Sequence, residues 1–256
     1  MFLLICIVAL GASLLTFFSG FGLGTLLLPA FAAFFPIEAA VAMTAVVHFA
    51  NNIFKLALVG RKADLKVVAW FGLPAVAASF VGAKALLLLA ALPGLCTYGL
   101  WGRTFHVTWV GSVIAALMLA FAALEVFPSL AGKSFDRKYL PFGGLLSGFF
   151  GGLSGHQGAF RSAFLVRCGL GQQAFVATGV VAACLVDATR LAVYAAQVSS
   201  VMAAGNAPLI AAAMSSAFAG AWLGARLVGK VTIRAIQVFV SCLLALFALC
   251  LAAGLI

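Results

Sequence analysis

Long apolar stretches alternate with short polar connectors along the whole chain. A helix needs about 20 mostly apolar residues to cross the hydrocarbon core of a bilayer, and several of the stretches reach that length. The pattern therefore predicts spanning helices at 38–59, 65–91, 105–127, 171–197, 206–229 and 233–255.

Two further apolar regions, 1–35 and 140–169, are interrupted by clusters of glycine. A single helix over the first region would be about 52 Å long, whereas a bilayer core is about 30 Å thick. Glycine inside a helix costs about 1 kcal/mol relative to alanine, so the clusters mark helix ends. Each region is therefore predicted to be a hairpin of two shorter helices with a non-helical break between them.

The two halves of the chain carry similar short segments in the same order, which indicates an internal repeat. The first repeat covers 1–128 and the second covers 140–256, with a polar linker at 129–139. The matched segments are Ser19-Gly20 with Ser147-Gly148, Asn52-x-x-Lys55-Leu56-Ala57 with Asp187-x-x-Arg190-Leu191-Ala192, and Gly82-Ala83-Lys84 with Gly224-Ala225-Arg226.

The charges of the connectors predict how each repeat lies in the membrane, because Lys and Arg concentrate in cytoplasmic loops. The connector 60–66 is basic, whereas its counterpart 198–207 has no charge. The connector 92–105 has one arginine, whereas its counterpart 226–234 is basic. The linker 129–139 is also basic and is placed in the cytoplasm. The second repeat is therefore predicted to be upside down relative to the first.

The predicted fold class is an all-α polytopic membrane protein with two inverted repeats. Each repeat consists of a Gly-broken helical hairpin (1–35 or 140–169) and three spanning helices. Inverted repeats with interrupted helices in corresponding places are typical of secondary transporters, whose substrates bind near the middle of the membrane.

Composition excludes several other classes of protein. Of the 256 residues, 66% are hydrophobic and only 8% are charged, too few to cover a water-soluble domain. The net charge of +10 is spread over loops and helix ends, so it does not indicate a nucleic-acid partner. None of the six cysteines belongs to a CxxC pair, and no phosphate-binding G-x-x-x-x-G-K-[ST] loop occurs. We expect no metal, no cofactor and no ATPase activity.

The two glycine-rich breaks are the candidate substrate site. A helix that begins inside the membrane directs free N–H groups and a positive dipole end into a cavity, where they attract an anion. Close packing of helices through small residues is the alternative. The predicted site residues of the two breaks are Gly22, Gly24, Thr25, Ser154, Gly155, His156, Gln157, Gly158 and Arg161.

Arg161 follows the second break by one helical turn. A guanidinium grips a carboxylate, sulfonate or phosphate with two parallel hydrogen bonds, and a charge inside a bilayer usually faces a cavity or a partner. The alternative is a structural pairing of Arg161 with Asp187. Arg167 lies at the end of the segment, where an interfacial position is favoured.

Polar stripes on two later helices are predicted to line the same cavity. On the first, His48 and Asn52 lie one turn apart, with Thr44, Asn51 and Lys55 on the same face. On the second, Asp187 and Arg190 lie three residues apart and can also simply neutralise one another. Asp187 is one of five acidic residues and is the candidate for coupling to protons.

An intramembrane serine protease is an alternative, because Gly152-Leu153-Ser154-Gly155 matches a GxSG motif and His48 precedes it. That chemistry needs a histidine base on a helix that follows the serine. The last histidine of the chain is His156, so the protease is disfavoured.

The paired segments "SGFGLGTLLLP" and "SGFFGGLSGHQGAF", each followed by a helix of small residues, resemble the TauE/SafE family of sulfite exporter-like membrane proteins. The resemblance covers nearly the whole chain. It implies a transporter of sulfite or of other sulfur-containing or small organic anions. His156, Gln157 and Arg161 replace the glycines and proline usual in the second hairpin of that family.

Together these observations predict a secondary transporter of the bacterial plasma membrane that exports a small anion by alternating access. The anion would bind between the breaks, with His48, Asn52 and Arg190 lining the cavity. The expected partners are the anion, a coupling proton or sodium ion and the lipid bilayer, and a homodimer is one oligomeric state to consider. An importer, a channel and a membrane scaffold without flux remain alternatives.

Overall fold

The computed structural model of the protein describes residues 1–19, 23–100, 102–126, 134–227 and 233–255. Most of these residues are helical. In chain order the helices are α1 (Phe2–Ser19), α2 (Leu23–Ala32), α3 (Ile37–Val59), α4 (Leu65–Ala90), α5 (Trp109–Val126), α6 (Leu140–Ser154), α7 (Gly158–Leu165), α8 (Gln172–Val193), α9 (Ala195–Ala203), α10 (Ala207–Leu227) and α11 (Ile233–Ala252). Short 3-10 helices occupy Gly60–Lys62 and Arg137–Tyr139, and two strands, β1 (Cys96–Leu100) and β2 (Arg103–Val107), precede α5.

Four helices in the described part are long and apolar enough to cross a membrane, and they cover Ile37–Leu58, Leu65–Ala90, Gln172–Val193 and Ala207–Arg226. The spans predicted at 105–127 and 233–255 fall on α5 and α11. Their described apolar stretches, Trp109–Leu124 and Val238–Ala252, are shorter. Large apolar side chains cover the outer face of α4, where Trp70, Leu73 and Leu88 are exposed. The fold is that of an all-α membrane protein with one small β-hairpin added.

The β-hairpin corrects the sequence prediction, which placed a connector at 92–105 and a helix start at 105. β1 and β2 pair antiparallel, from Cys96 opposite Val107 to Leu100 opposite Arg103. The strands carry alternating β-branched and aromatic residues, and Gly102 adopts φ +73° in the turn between them. The Tyr98 hydroxyl donates a hydrogen bond to the carbonyl of Ala253, so the hairpin packs against the end of α11.

The second correction concerns the connector predicted at 198–207. The helix predicted at 171–197 ends earlier, at Val193, and α9 covers most of the predicted connector. Tyr194 lies between the two helices with φ −87° and ψ 12°, which interrupts the helical path. Its hydroxyl donates a hydrogen bond to the carbonyl of Gly152 on α6, so the change of direction is fixed by a tertiary contact.

Helix starts and ends have identifiable local causes. The Asp64 carboxylate accepts hydrogen bonds from the backbone N–H groups of Lys66 and Val67, which caps the start of α4. The helix α6 ends at Ser154 because the next residue, Gly155, has a φ of +83°, a left-handed conformation that favours glycine. Of the predicted linker 129–139, residues 134–139 are described and end in the 3-10 turn before α6.

The main helix contacts join the two halves of the chain. When the halves are aligned in order, α1 corresponds to α6, α4 to α10, α3 to α8 and α5 to α11. α4 packs along α6, and its counterpart α10 packs along α1. The remaining counterparts pack on each other, α3 on α8 and α5 on α11. Each half therefore contributes helices to the packing of the other, and neither forms a separate core.

A row of glycines lets α6 touch α4 backbone to backbone. Three glycines on α6 are spaced four residues apart and so lie on one face. A methyl group added at any of them would lie 2.1 Å from a carbonyl oxygen of α4. The facing pairs are Gly144 with Phe71, Gly148 with Ala75 and Gly152 with Ser79. This is the small-residue packing by which membrane helices approach closely.

We expect Gly148→Ala to destabilise the protein, although alanine is the better helix former. The added methyl meets a backbone oxygen that cannot turn aside, so α4 and α6 must separate. Overpacking of this kind costs about 1–3 kcal/mol, and about 1 kcal/mol corresponds to roughly 2–4 °C in a chain of this size. The measurement is the thermal midpoint in detergent. Gly11→Ala is the control, because nothing lies within 4 Å of its added methyl.

Candidate functional site

The polar stripes of α3 and α8 face each other in the interior. α3 packs on α8, and the polar side chains of both stripes are almost fully buried. The buried polar residues of the two helices are Thr44, His48, Asn51, Asn52, Lys55, Thr178, Asp187 and Arg190. Asn51 accepts a hydrogen bond from Ser13 of α1, and Thr178 accepts one from the Asp64 N–H. The helical spacing that predicted an inward face on each helix thus corresponds to a polar interface shared by the other members.

The Asp187 carboxylate is the centre of this interface. His48 Nδ1 and Asn52 Nδ2 each lie 2.7 Å from Asp187 Oδ2. Gln157 Nε2 donates to Asp187 Oδ1 at 3.1 Å, and Arg190 Nη2 forms an ion pair with the same oxygen at 2.9 Å. The carboxylate therefore has three hydrogen bonds and one ion pair, from α3, from α8 and from the break between α6 and α7.

The second break comprises residues 155–157, and α7 begins at Gly158, where the sequence predicts a half-helix. A methyl group at Gly155 would lie 2.7 Å from Arg190 Nη1, so the guanidinium lies directly against the bare Cα of this glycine. Ser147 Oγ donates to the carbonyl of Gln157 at 2.9 Å and ties the break to α6. The break is thus fixed over Arg190.

The start of α2, which follows the first break in the chain, lies beside the second break. Gly22 of the first break is outside the described residues, and α2 begins at Leu23, two residues before the predicted start near Thr25. A methyl group at Gly24 would lie 3.5 Å from the carbonyl oxygen of Gly155 and 3.8 Å from Cδ2 of His48. Thr25, in the first turn of α2, is buried. The two segments that the sequence pairs by repeat therefore meet in space.

Arg161 lies at the edge of the cluster and does not pair directly with Asp187. Its Nη1 donates to Gln157 Oε1 at 3.3 Å, and its side chain crosses the face of α8 at Gly179. Lys55 is buried nearby, close enough for its charge and that of Arg161 to interact. The structural pairing suggested for Arg161 is instead made by Arg190. Arg190 thus pairs with the carboxylate, and Arg161 and Lys55 are two further cationic side chains nearby.

Buried polar atoms without a partner occur where the start of α2 meets the second break. In the described part of the chain, Nε and Nη1 of Arg190, Oγ1 of Thr44 and the acceptor Nε2 of His156 have no hydrogen-bond partner. Arg190 is fully buried, with 0% of its surface exposed. A buried polar group without a partner is costly, and in native proteins it commonly marks a bound water or ion. The unpaired N–H groups of Arg190 are therefore a place where a bound water or anion would satisfy buried donors.

Ser154 and His156 lie on the side of the second break that faces α5. Ser154 Oγ donates to the carbonyl of Phe150, and His156 Nδ1 lies 3.0 Å from Ser154 Oγ. The one hydroxyl hydrogen of Ser154 is donated to the carbonyl of Phe150, so Nδ1 of His156 must donate to Ser154 Oγ. The ring of His156 stacks on Phe121 of α5. The pair therefore lacks the arrangement of a serine nucleophile and its base.

Sequence reasoning placed Lys55 and Tyr194 on the inward-facing stripes but did not identify their neighbours on other helices. Lys55 is buried beside Arg161. Tyr194 lies on the stripe of Asp187 and Arg190, and its hydrogen bond to Gly152 holds α8 against α6. The helical spacing of both residues was the available signal, but spacing does not identify a partner on another helix.

Comparison with known proteins gives one match. The family model for "Sulfite exporter TauE/SafE" matches residues 5–251, which is nearly the whole chain. No curated protein and no solved structure matches it. The match confirms the resemblance drawn from the paired glycine-rich segments, and the family consists of integral membrane transporters rather than enzymes. The chain is therefore a member of the TauE/SafE sulfite exporter family of membrane transporters.

Proposed function

We propose that the protein is a secondary transporter that exports a small anion across the bacterial plasma membrane. The cargo is sulfite, an organosulfonate or a related sulfur-containing or organic anion. Family membership supports the class of transporter. The observation that carries the anion assignment is the fully buried guanidinium of Arg190, which has unpaired N–H groups and lies against Gly155 of the second break, beside the start of α2.

The anion would bind between the first turn of α2 and the second break. Gly24, Thr25 and Gly158 offer backbone groups close to helix N-termini, where N–H groups are free and the dipole is positive. Gly155 contributes by the close approach of its bare Cα to Arg190. Arg190 supplies a planar pair of donors that matches the oxygens of a sulfite or sulfonate group. The excess of cationic over anionic side chains compensates the charge of the cargo in a region of low dielectric constant.

Other predicted site residues would support this position from around it. Gln157 accepts a hydrogen bond from Arg161 and donates one to Asp187, so it connects the outer cation to the central carboxylate. His48 and Asn52 form the wall on α3, and Ser154 and His156 form the wall towards α5. Gly22 is included because it precedes α2.

Alternating access between two inverted repeats is the proposed mechanism. The reciprocal packing of α4 on α6 and of α10 on α1 supports a two-fold relation between the halves. The opposite charges of corresponding connectors support the inversion. Because Arg190 has no exposed surface, an anion reaches it only if the repeats move. An enclosed site favours a carrier over a channel, which needs a continuous path.

The test of the proposed function is uptake into proteoliposomes of radiolabelled sulfite, methanesulfonate and acetate. We expect saturable uptake of at least one sulfur-containing anion, and competition by unlabelled anion. Protein-free liposomes measure the passive leak of each anion through the bilayer. Absence of saturable uptake for all three anions would contradict the proposed function and favour a scaffold without flux.

Arg161→Gln is expected to raise KM for the transported anion about tenfold or more. The reason is the loss of a charged donor next to the binding position, which is worth about 1.5–3 kcal/mol, and about 1.4 kcal/mol is a factor of ten. The matched control is Arg167→Gln, because Arg167 is exposed and its contact is with Asp136. An unchanged KM in the Arg161 variant would make this residue structural.

Gly155→Ala is expected to abolish uptake, because its methyl would lie 2.7 Å from Arg190 Nη1 and displace the guanidinium. Alanine is also strained at φ +83°. Gly169→Ala separates the two effects, since Gly169 has φ +71° and nothing lies within 4 Å of its added methyl. Uptake and thermal midpoint are measured for both variants. If Gly155→Ala and Gly169→Ala lose uptake equally, backbone strain explains the loss and displacement of Arg190 does not.

The inversion of the repeats can be tested by labelling single cysteines in a cysteine-free background. Arg61→Cys lies in the basic connector after α3, and Ala204→Cys lies in the corresponding connector of the second half. In intact cells, a membrane-impermeant maleimide should label the cysteine at 204, whereas the one at 61 should react only after lysis. Labelling of both from the same side would contradict the inverted arrangement.

A further inference from the structure

We propose that His48 binds a proton that is carried together with the anion, so that the transporter is a proton–anion symporter. This inference rests on the proposed function and adds the coupling ion to it. It also moves the proton-binding role from Asp187, the residue selected from sequence, to the histidine that contacts it.

The contacts of Asp187 make it unsuitable as the proton carrier. Both of its oxygens are occupied, Oδ2 by His48 and Asn52, and Oδ1 by Gln157 and Arg190. A protonated carboxyl would turn one acceptor into a donor facing other donors. Hydrogen bonds and an opposite charge both favour the ionised form. Asp187 therefore acts as a fixed negative charge throughout the transport cycle.

His48 can take up a proton without losing a contact. Its Nδ1 is 2.7 Å from a carboxylate oxygen, which can only accept, so Nδ1 carries the hydrogen. That leaves Nε2 as the position for a second proton. Cδ2, which is bonded to Nε2, lies 3.8 Å from the position of a methyl group at Gly24. The titrating edge of the ring thus faces the start of α2, beside which the anion binds.

The charged groups around His48 set the sign of the coupling. Asp187 on α8 attracts the additional proton, whereas Arg190 on α8 and Lys55 on α3 oppose it. Among the other elements packed on α3, α2 and α9 carry no charged side chain, and α10 carries Arg226 near its end. The remaining charges lie on α3 at Glu38 in its first turn, on α4 at Lys66 and Lys84, and on the 3-10 helix that follows α3 at Arg61 and Lys62.

An anion at Arg190 would offset the positive charges that oppose protonation of His48. The anion therefore makes the proton bind more tightly, and by reciprocity the proton makes the anion bind more tightly. Two ligands that favour each other's binding occupy the site together and cross the membrane in the same direction. This linkage predicts symport and argues against exchange of the anion for a proton. Export by symport is then driven by the outward concentration gradient of the anion and not by the inward gradient of protons.

The test uses methanesulfonate, which stays ionised at every pH used and so carries no proton itself. Proteoliposomes with a more acidic exterior are incubated with radiolabelled methanesulfonate until uptake reaches a plateau. Wild type should accumulate the anion severalfold above the external concentration. His48→Asn keeps a donor towards Asp187 but removes the titrating ring nitrogen. At the plateau of this variant, the methanesulfonate concentrations inside and outside the proteoliposomes should be equal. The plateau, unlike the rate, is independent of how well a variant binds the anion.

Three comparisons make the result decisive. His106→Asn changes an exposed histidine of β2 and should retain the wild-type plateau. Exchange of labelled for unlabelled methanesulfonate at equal pH, which needs no net proton movement, should continue in His48→Asn at a reduced rate. If the asparagine variant is unstable, His48→Gln replaces it. This variant is also expected to reach equal methanesulfonate concentrations on the two sides.

The outcomes separate the two proposals. Accumulation by His48→Asn or His48→Gln as high as in wild type would overturn the role of His48. Exchange by wild type without accumulation under a pH gradient would overturn proton coupling but leave the proposed function intact. No exchange of methanesulfonate by wild type would count against organosulfonate transport itself, and proton coupling would fall with it.

Discussion

The buried carboxylate of Asp187 is the contact through which the parts of the site are joined. An ionised carboxylate in an apolar interior is stable only with a full set of donors, and here the donors come from separate segments of the chain. His48 and Asn52 hold α3, Arg190 holds α8, and Gln157 holds the second break. Removing the charge would leave a guanidinium and several N–H groups unpaired, so the position of the break depends on this one side chain.

The glycines complement this contact by bringing backbones close together. Gly152 lets α6 lie against α4, and its carbonyl also accepts the hydrogen bond of Tyr194 at the end of α8. Gly155 then turns the chain over Arg190. The same stretch of sequence thus serves helix packing on one side and the polar cluster on the other. The two interpretations of a glycine cluster, close packing and a helix break, both apply within these few residues.

Much of this arrangement could be predicted from the sequence because it has a local signal. Apolar length placed the long helices, glycine clustering located the break before Gly158, and helical spacing selected His48, Asn52 and Asp187 as inward-facing. The contacts between Gln157 and Asp187, and between Gly24 and the second break, join segments far apart in the chain. Spacing along one helix carries no information about such partners, so Arg161 was favoured over Arg190 as the principal cation.

The short β-hairpin and the kink at Tyr194 were missed for related reasons. The strands are too short and too mixed in polarity to stand out beside long apolar helices. The kink is held by a tertiary hydrogen bond to Gly152, and no glycine or proline marks it.

The excess of guanidinium groups over carboxylates at the centre of the protein has an electrical consequence. Arg161 and Arg190 exceed Asp187 by one positive charge, even before Lys55 is counted. Under alternating access, an empty binding site would therefore carry charge as it reorients, and moving one charge through 100 mV is worth about 2.3 kcal/mol. A cell interior that is electrically negative would draw the empty site inward and hold it open to the cytoplasm, where an exporter meets its cargo.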